Sequence, residues 1–333
     1  MVRTAFLALA AALATAPAAA QTPARVGYIP VIGASQIFVA DKEGLTKAAG
    51  LDVKFIVFES GPAMIQALAS GTLDVYVAGV APLAVARSKG VDVKVISATA
   101  IDEMTTIAGV KLAPFFKDGV APAQALKDFR AANGKPARFA TQPPGSVPHT
   151  TLVHWLSEVA RADRADYEIV TMGIDATQQA LLAGAVDGST LREPALTVSM
   201  QREPRLKLVA TGSQMFPNQP GTVVAVAGAF AAKNPDAVQK LVTGLVEATR
   251  IIEKEPKRAA APVEAALGKG LVDRATIEKA LASPASKFVS DPRTIVDSFK
   301  AMQAYQVKIG SLEKELPLDG LFDASYYTKA TGK

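Results

Sequence analysis

Two stretches of this chain spell nearly the same phrase. QALASGTLDVYVAGVAPL begins at Gln66 and QALLAGAVDGSTLREPAL at Gln179. Aligned from those glutamines, both read Gln-Ala-Leu, then glycine at Gly71 and Gly184, then aspartate at Asp74 and Asp187, then a proline and a closing leucine. The offset, Gln66 to Gln179, is 113 residues. That exceeds the roughly 20–50 residues of a solenoid repeat and is close to one small domain, so the chain is constrained to two similar lobes. The paired glycines read as helix ends and the paired aspartates as architecture at the entry of the next strand. The tips that follow diverge, Gly79-Val80-Ala81 against Leu191-Arg192-Glu193. Divergent tips on a repeated frame are where specificity is expected.

Short β-type runs alternate with helical stretches in both halves. RVGYI, DVKFIVF, LDVYVAG and VKVISA in the first half correspond to ARFAT, YEIVTM, AVDGSTL and LKLVAT in the second. Helices are expected from Ser35, Pro62 and Pro82, and again from Ser146, Asp175 and Pro194, with Ser35, Ser146 and Asp175 as caps. Strand–helix alternation predicts an α/β chain with mainly parallel sheets flanked by helices. After GTVVAVAG the pattern turns helical. Asn234 and Pro235 open a long helix with Val238, Leu241, Val242, Leu245, Val246 and Ile252 at helical spacing. These helices have no new sheet to cover, so the chain is expected to return to the first lobe. That places lobe one at 21–107 plus 222–333 and lobe two at 108–221. Two strands cross between them, near Thr105–Val110 and Thr222–Val226.

Arg3, an apolar run through AFLALAAALATAPAAA and a small-residue exit at Ala20 read as a secretory signal peptide over 1–20. The mature chain of about 313 residues then suits two domains. Cysteine is absent, which removes disulfides, zinc thiolates and cysteine nucleophiles and fits an exported, periplasmic protein. The formal charge is +5 with basic residues scattered, so a nucleic-acid surface is not expected. No other run approaches the roughly 20 apolar residues of a membrane helix.

In a parallel sheet the helix starts gather beyond the strands' C-terminal ends, where ligands bind. Two such edges facing each other make a cleft ringed by backbone N–H groups and positive helix ends, suited to an anionic or strongly polar ligand. At this point the chain resembles the periplasmic solute-binding proteins of ABC importers, in the branch serving nitrate, alkanesulfonates, taurine and thiamine-precursor pyrimidines. The resemblance is carried by GYIPVIGASQIFVADKEGLTKAAGLDVKFIVFESGPAMIQALASGTLDVYVAGVAPLAVARSKGVDVKVIS, PPGSVPHTTL, DATQQALLAGAVDGSTLREP and AFAAKNPDAVQKLV, which span almost the whole mature chain. It implies a two-lobed periplasmic-binding-protein (type II) fold with two crossover strands as hinge. It further implies a monomer that closes on one small molecule and presents it to a permease with a cytoplasmic ATPase. No cofactor or metal is implied.

The resemblance places ligand contacts at Ile32–Gln36, including Ser35 and Gln36; at Glu59, Ser60 and Gly61; and at Gly79, Val80 and Ala81. In lobe two it places them at Gly145, Ser146, His149, Thr150, Asp175, Arg192 and Glu193. Ser60 and Ser146 are favoured because small hydroxyls at helix starts donate beside the backbone. Arg192 can clamp a carboxylate or sulfonate through its planar fork, or pair with Glu193 or another neighbour. Glu59 and Glu193 can hold an amine or simply face solvent. For a flat pyrimidine, Tyr28, Phe38 and Tyr76 are the stacking candidates.

An enzymatic reading finds little footing in the residues. The phosphate-binding Gly-x-x-x-x-Gly-Lys-[Ser/Thr] loop, the Gly-x-Ser-x-Gly elbow and His-Glu-x-x-His are all missing. The two histidines, His149 and His154, are five apart and off one helical face. Trp155 reads as core. The pyrimidine-synthesising enzymes of the same family carry a cysteine-rich motif that this chain lacks.

Overall fold

The computed structural model describes residues 21–267 and 272–333; the signal-peptide reading of 1–20 lies outside them. In chain order the strands are β1 (Thr22–Tyr28), β2 (Leu51–Val57), β3 (Val75–Gly79), β4 (Val93–Ala98), β5 (Ala100–Ile101), β6 (Thr105–Ala108), β7 (Ala137–Thr141), β8 (Tyr167–Thr171), β9 (Gly188–Leu191), β10 (Lys207–Thr211), β11 (Thr222–Ala227) and β12 (Lys287–Phe288). They form two five-stranded sheets, β2-β1-β3-β11-β4 and β10-β6-β9-β7-β8, and a two-stranded ribbon, β12-β5. Read from its other end, the second sheet is β8-β7-β9-β6-β10 and matches the first strand for strand. β1 pairs parallel with β2 and β3, and β7 pairs parallel with β8 and β9. β11 enters the first sheet antiparallel between β3 and β4, and β6 enters the second antiparallel between β9 and β10. This is an α/β fold with two lobes. Central strands β3, β9 and β6 are buried at every residue, as strands covered on both faces must be.

The repeated aspartates have a structural task. Asp74 Oδ2 accepts the backbone N–H of Arg25 at 2.9 Å, and Asp187 Oδ2 accepts that of Arg138 at 2.9 Å. Backbone bonds return from Asp74 N to Arg25 O and from Asp187 N to Arg138 O. Arg25 and Arg138 stand at the same 113-residue offset, so the repeat extends to the strand the aspartate holds. Burial opposes ionisation of Asp74, yet the Arg25 guanidinium and backbone bonds hold its carboxyl below the usual range. The paired glycines end their helices in the left-handed region, φ 67° at Gly71 and 65° at Gly184, where a side chain is strained. An Asp187→Ala variant leaves the Arg138 N–H unpaired beside a buried residue. It is expected to lose about 1–3 kcal/mol in urea unfolding; a loss within experimental scatter counts against this role.

Some local expectations shift. Ser35 does not cap: a 3-10 turn, Ile32–Ala34, runs straight into the Ser35–Lys42 helix, and the cap position falls on Ala34. Asp175 sits one residue inside the Ile174–Leu182 helix, and Gly173 takes the cap. Pro194 stands at the cap of Ala195–Arg202 rather than inside it.

The Pro235–Lys254 helix buries Val238, Leu241, Val242, Leu245 and Ile252 in one cluster with Ile37 and Val39 of the first lobe; Val246 is half-buried. The Val296–Lys308 helix reaches the second lobe. The Tyr305 hydroxyl lies 2.7 Å from Ser157 Oγ, Lys308 Nζ donates to Glu158 at 2.7 Å, and Gln306 Nε2 donates to the Gly145 carbonyl at 3.2 Å. The C-terminal third therefore packs on the first sheet's helices and on the Val147–Val159 helical segment beside the second sheet.

Candidate functional site

A small cavity, about 10 Å3, lies between the two sheets' C-terminal edges. That is near the minimum for a single water. Its lining includes Ser60, Gly61 and Gly79 from the first half of the chain and Gln142, Ser146 and Arg192 from the second. The two serines sit at equivalent places. Ser60 caps the Gly61–Ala69 helix, its Oγ accepting Ala63 N at 3.4 Å, and Ser146 caps Val147–His154, its Oγ accepting His149 N at 3.3 Å. Each hydroxyl accepts the cap bond and keeps its own proton to donate. Pro62 and Pro148 follow in the first turn of each helix, where a missing N–H costs nothing.

Arg192 directly follows β9 and is 5% exposed. Its Nη1 donates to Glu103 Oε1 at 3.2 Å, with both side chains 4% exposed. The same Glu103 oxygen accepts the Thr222 hydroxyl at 2.7 Å. Glu103 lies between β5 and β6, where the chain first crosses, and Thr222 opens β11, where it crosses back. One carboxylate thus ties both crossings to the arginine in the cavity wall. Arg192 has neither the pair with Glu193 nor an unengaged fork. Among the described residues its one side-chain hydrogen bond goes to Glu103, which leaves the rest of the fork to a ligand.

The other expected contacts are dispersed. Ser35 is fully buried and its Oγ has no partner. Gln36 turns away, donating to the Thr99 carbonyl at 2.7 Å. Val80 is core, its N–H on Gly221 O at 3.0 Å. The Thr150 hydroxyl bonds back to Ser146 O at 2.9 Å. Gly145 adopts φ 82° and offers its carbonyl to Gln306. His149 is not among the residues lining the cavity; its Nδ1 has no partner among the described residues, and burial holds its pKa below the ordinary value. Glu59 is exposed, while its carbonyl accepts Ile174 N at 3.2 Å across the lobes. The Glu193 carbonyl likewise accepts Ile32 N at 2.8 Å, but its carboxylate turns back onto Thr197. Asp175 lines a separate crevice of about 170 Å3 with Arg202 and Pro30.

Among the described residues, no aromatic ring lines the cavity. Tyr28 and Phe38 pack on each other and on Phe55, with centroids 4.9–6.0 Å apart. Tyr76 is fully buried, burial pushes its phenol up, and its hydroxyl donates to Gly79 O at 2.7 Å. Trp155 is core, edge-on to Phe139. Two site residues escaped the sequence reading. Gln142 is 3% exposed with an unpartnered Oε1; its signal was its place directly after β7. Glu103 had no local signal at all.

Among the described residues, no group of three or more His, Cys, Asp or Glu side chains is placed to hold a metal ion, and no helix is long and apolar enough to cross a membrane.

Three solved structures share this architecture. The ligand-binding component of an ABC-type import system from Staphylococcus aureus, with zinc bound, matches with TM-score 0.74 at 16% identity, over 94% of this chain and 100% of that one. The alkanesulfonate-binding protein SsuA from Xanthomonas axonopodis pv. citri, bound to MOPS, matches with TM-score 0.71 at 19% identity, over 89% and 96%. The periplasmic nitrate-binding protein NrtA from Synechocystis PCC 6803 matches with TM-score 0.78 at 15% identity, over 94% and 89%. At these identities the likeness is one of fold, the two-lobed periplasmic-binding-protein fold. A sequence-family model covers residues 17–267, and on that match the chain belongs to the NMT1-like family.

Proposed function

We propose that this protein is the solute-binding component of an ABC import system, working as a periplasmic monomer without catalysis. It captures a small organic anion, of the alkanesulfonate, taurine, nitrate or carboxylate kind, and delivers it to a membrane permease driven by a cytoplasmic ATPase. The observation that carries this reading is the convergence on one cavity of Ser60 from one lobe with Ser146 and Arg192 from the other. Two helix starts and a guanidinium form an anion-binding set. The family membership and the three fold relatives support it. The assignment of 21–107 with 222–333 to lobe one, and 108–221 to lobe two, is part of the proposal.

The mechanism is a hinge closure. A cavity of about 10 Å3 admits no sulfonate, so the ligand enters when the lobes part about β6 and β11. It then bridges Ser60 on one side and Ser146 and Arg192 on the other, and so binds the closed form better; only that difference moves the population. Arg192 and Glu103 sum to no net charge. Attraction for an anion therefore rests on the uncommitted guanidinium N–H groups, the serine hydroxyls and the helix-start amides. The pyrimidine alternative loses its stacking partners, since Tyr28, Phe38 and Tyr76 lie elsewhere.

A thermal-shift panel of sulfonates, taurine, carboxylates, nitrate, bicarbonate and thiamine pyrimidines tests this. A ligand at about a thousand times its Kd stabilises by roughly 4 kcal/mol, several degrees in Tm. Arg192→Ala is expected to weaken the best anion by on the order of 2–4 kcal/mol in calorimetry. A panel in which no anion raises Tm, or an Arg192→Ala variant of unchanged affinity, sinks the anion reading.

A further inference from the structure

A second and much larger cavity, about 660 Å3, opens where the crossings meet the C-terminal segment. Its walls come from both parts of the chain. Leu196 and Met200 belong to the Ala195–Arg202 helix and Leu208 to β10, while Pro284 and Ala285 belong to the loop before β12. Leu208 is 42% exposed, an unusual cost for a leucine beside an apolar wall. Into this wall is set Glu193, 3% exposed. Its carboxylate accepts Thr197 N at 3.0 Å and the Thr197 hydroxyl at 2.9 Å, and Ser283 also lines the cavity. Both donors are neutral. Among the described residues no lysine or arginine forms an ion pair with Glu193: Lys287 at the rim is paired with Asp102 at 2.7 Å, and Lys279 is exposed. A buried carboxylate without a cation is costly to keep, and here it borders a space wide enough for a ligand.

We propose that this cavity is a second binding site, separate from the anion cleft, for a small amphiphilic amine. Its ammonium group pairs with the Glu193 carboxylate, and its hydrocarbon part lies on Leu196, Met200 and Leu208. Thr197 holds the carboxylate in place, and the apolar wall selects against a fully hydrated cation. The site does not depend on the identity of the cleft ligand, because none of Ser60, Ser146 and Arg192 borders it.

The test uses the purified protein with 13C-methyl-labelled methionine and three probes of one chain length: n-hexylamine, n-hexanol and hexanoate. Hexylamine is expected to move the Met200 methyl signal saturably, at least tenfold tighter than hexanol or hexanoate. Glu193→Gln is expected to erase the preference for the amine while hexanol still binds. Leu196→Trp fills the cavity and is expected to abolish all three responses; it also decides the matter if Glu193→Gln does not fold. Hexanoate or hexanol binding as tightly as hexylamine overturns the amine assignment. No saturable shift with any probe, or a response that survives Leu196→Trp, overturns the site.

Discussion

Replacing Glu103 by alanine is expected to cost about 3–5 kcal/mol of folding stability, the range for removing one partner of a buried ion pair. Arg192 cannot shed its charge and is 5% exposed, so the variant strands a guanidinium in the interior and also removes the acceptor of the Thr222 hydroxyl. Urea unfolding of Glu103→Leu, Arg192→Met and the Glu103→Leu/Arg192→Met double variant measures the coupling. The double variant removes both charges and is expected to recover most of the loss, because a buried pair is held at a desolvation cost that apolar replacements avoid. It should bind the anion no better than Arg192→Ala, since recovered stability does not restore the donor. A Glu103→Ala protein within 1 kcal/mol of the parent sinks the view that this pair ties the crossings together.

Gly79→Ala is expected to hold the cleft open. A Cβ at Gly79 stands 2.8 Å from Val147 Cγ2 and 3.3 Å from Val147 Cβ, and meets nothing else within 4 Å. The obstruction is therefore in the opposite lobe, and the substitution spares its own. Folding stability should change little, while the closed form, which alone holds the ligand between Ser60 and Ser146, becomes inaccessible. A loss of on the order of 100-fold in anion affinity is expected, since the ligand's energy is spent against the clash before it binds. Small-angle scattering should show no contraction on adding ligand that contracts the parent. Unchanged affinity means the lobes need not meet at Val147, and rules out closure at this point as the binding step.

Much of the frame was readable because its causes are local or repeated. The 113-residue echo carried the pairing of lobes. In the structure it carries the Arg25–Asp74 and Arg138–Asp187 links as well. Ser146 was readable as a cap and Ser60 as a hydroxyl at a helix start, because a serine followed two residues later by proline has few other tasks. Caps were misread at Ser35 and Asp175, where Ala34 at the end of a 3-10 turn and Gly173 take the position, and Pro194 stands at the cap instead of the first helical position. Those choices depend on how the entering loop is held from outside.

The sequence by itself determined two α/β lobes with mainly parallel sheets and pointed to the edge where a ligand is expected, because hydrophobic period, caps and an internal repeat act over a few residues or recur at a fixed offset; the strand order came from the structure. Only the tertiary structure decided what each candidate side chain does there. Arg192 faces the cleft but donates one N–H to Glu103, 89 residues away. Glu193 beside it turns to Thr197, Gln36 turns to Thr99, and Gln142 comes in unannounced. Buried polar groups must find partners wherever the packed chain puts them, and no spacing along the sequence encodes a partner brought close only by the meeting of two lobes.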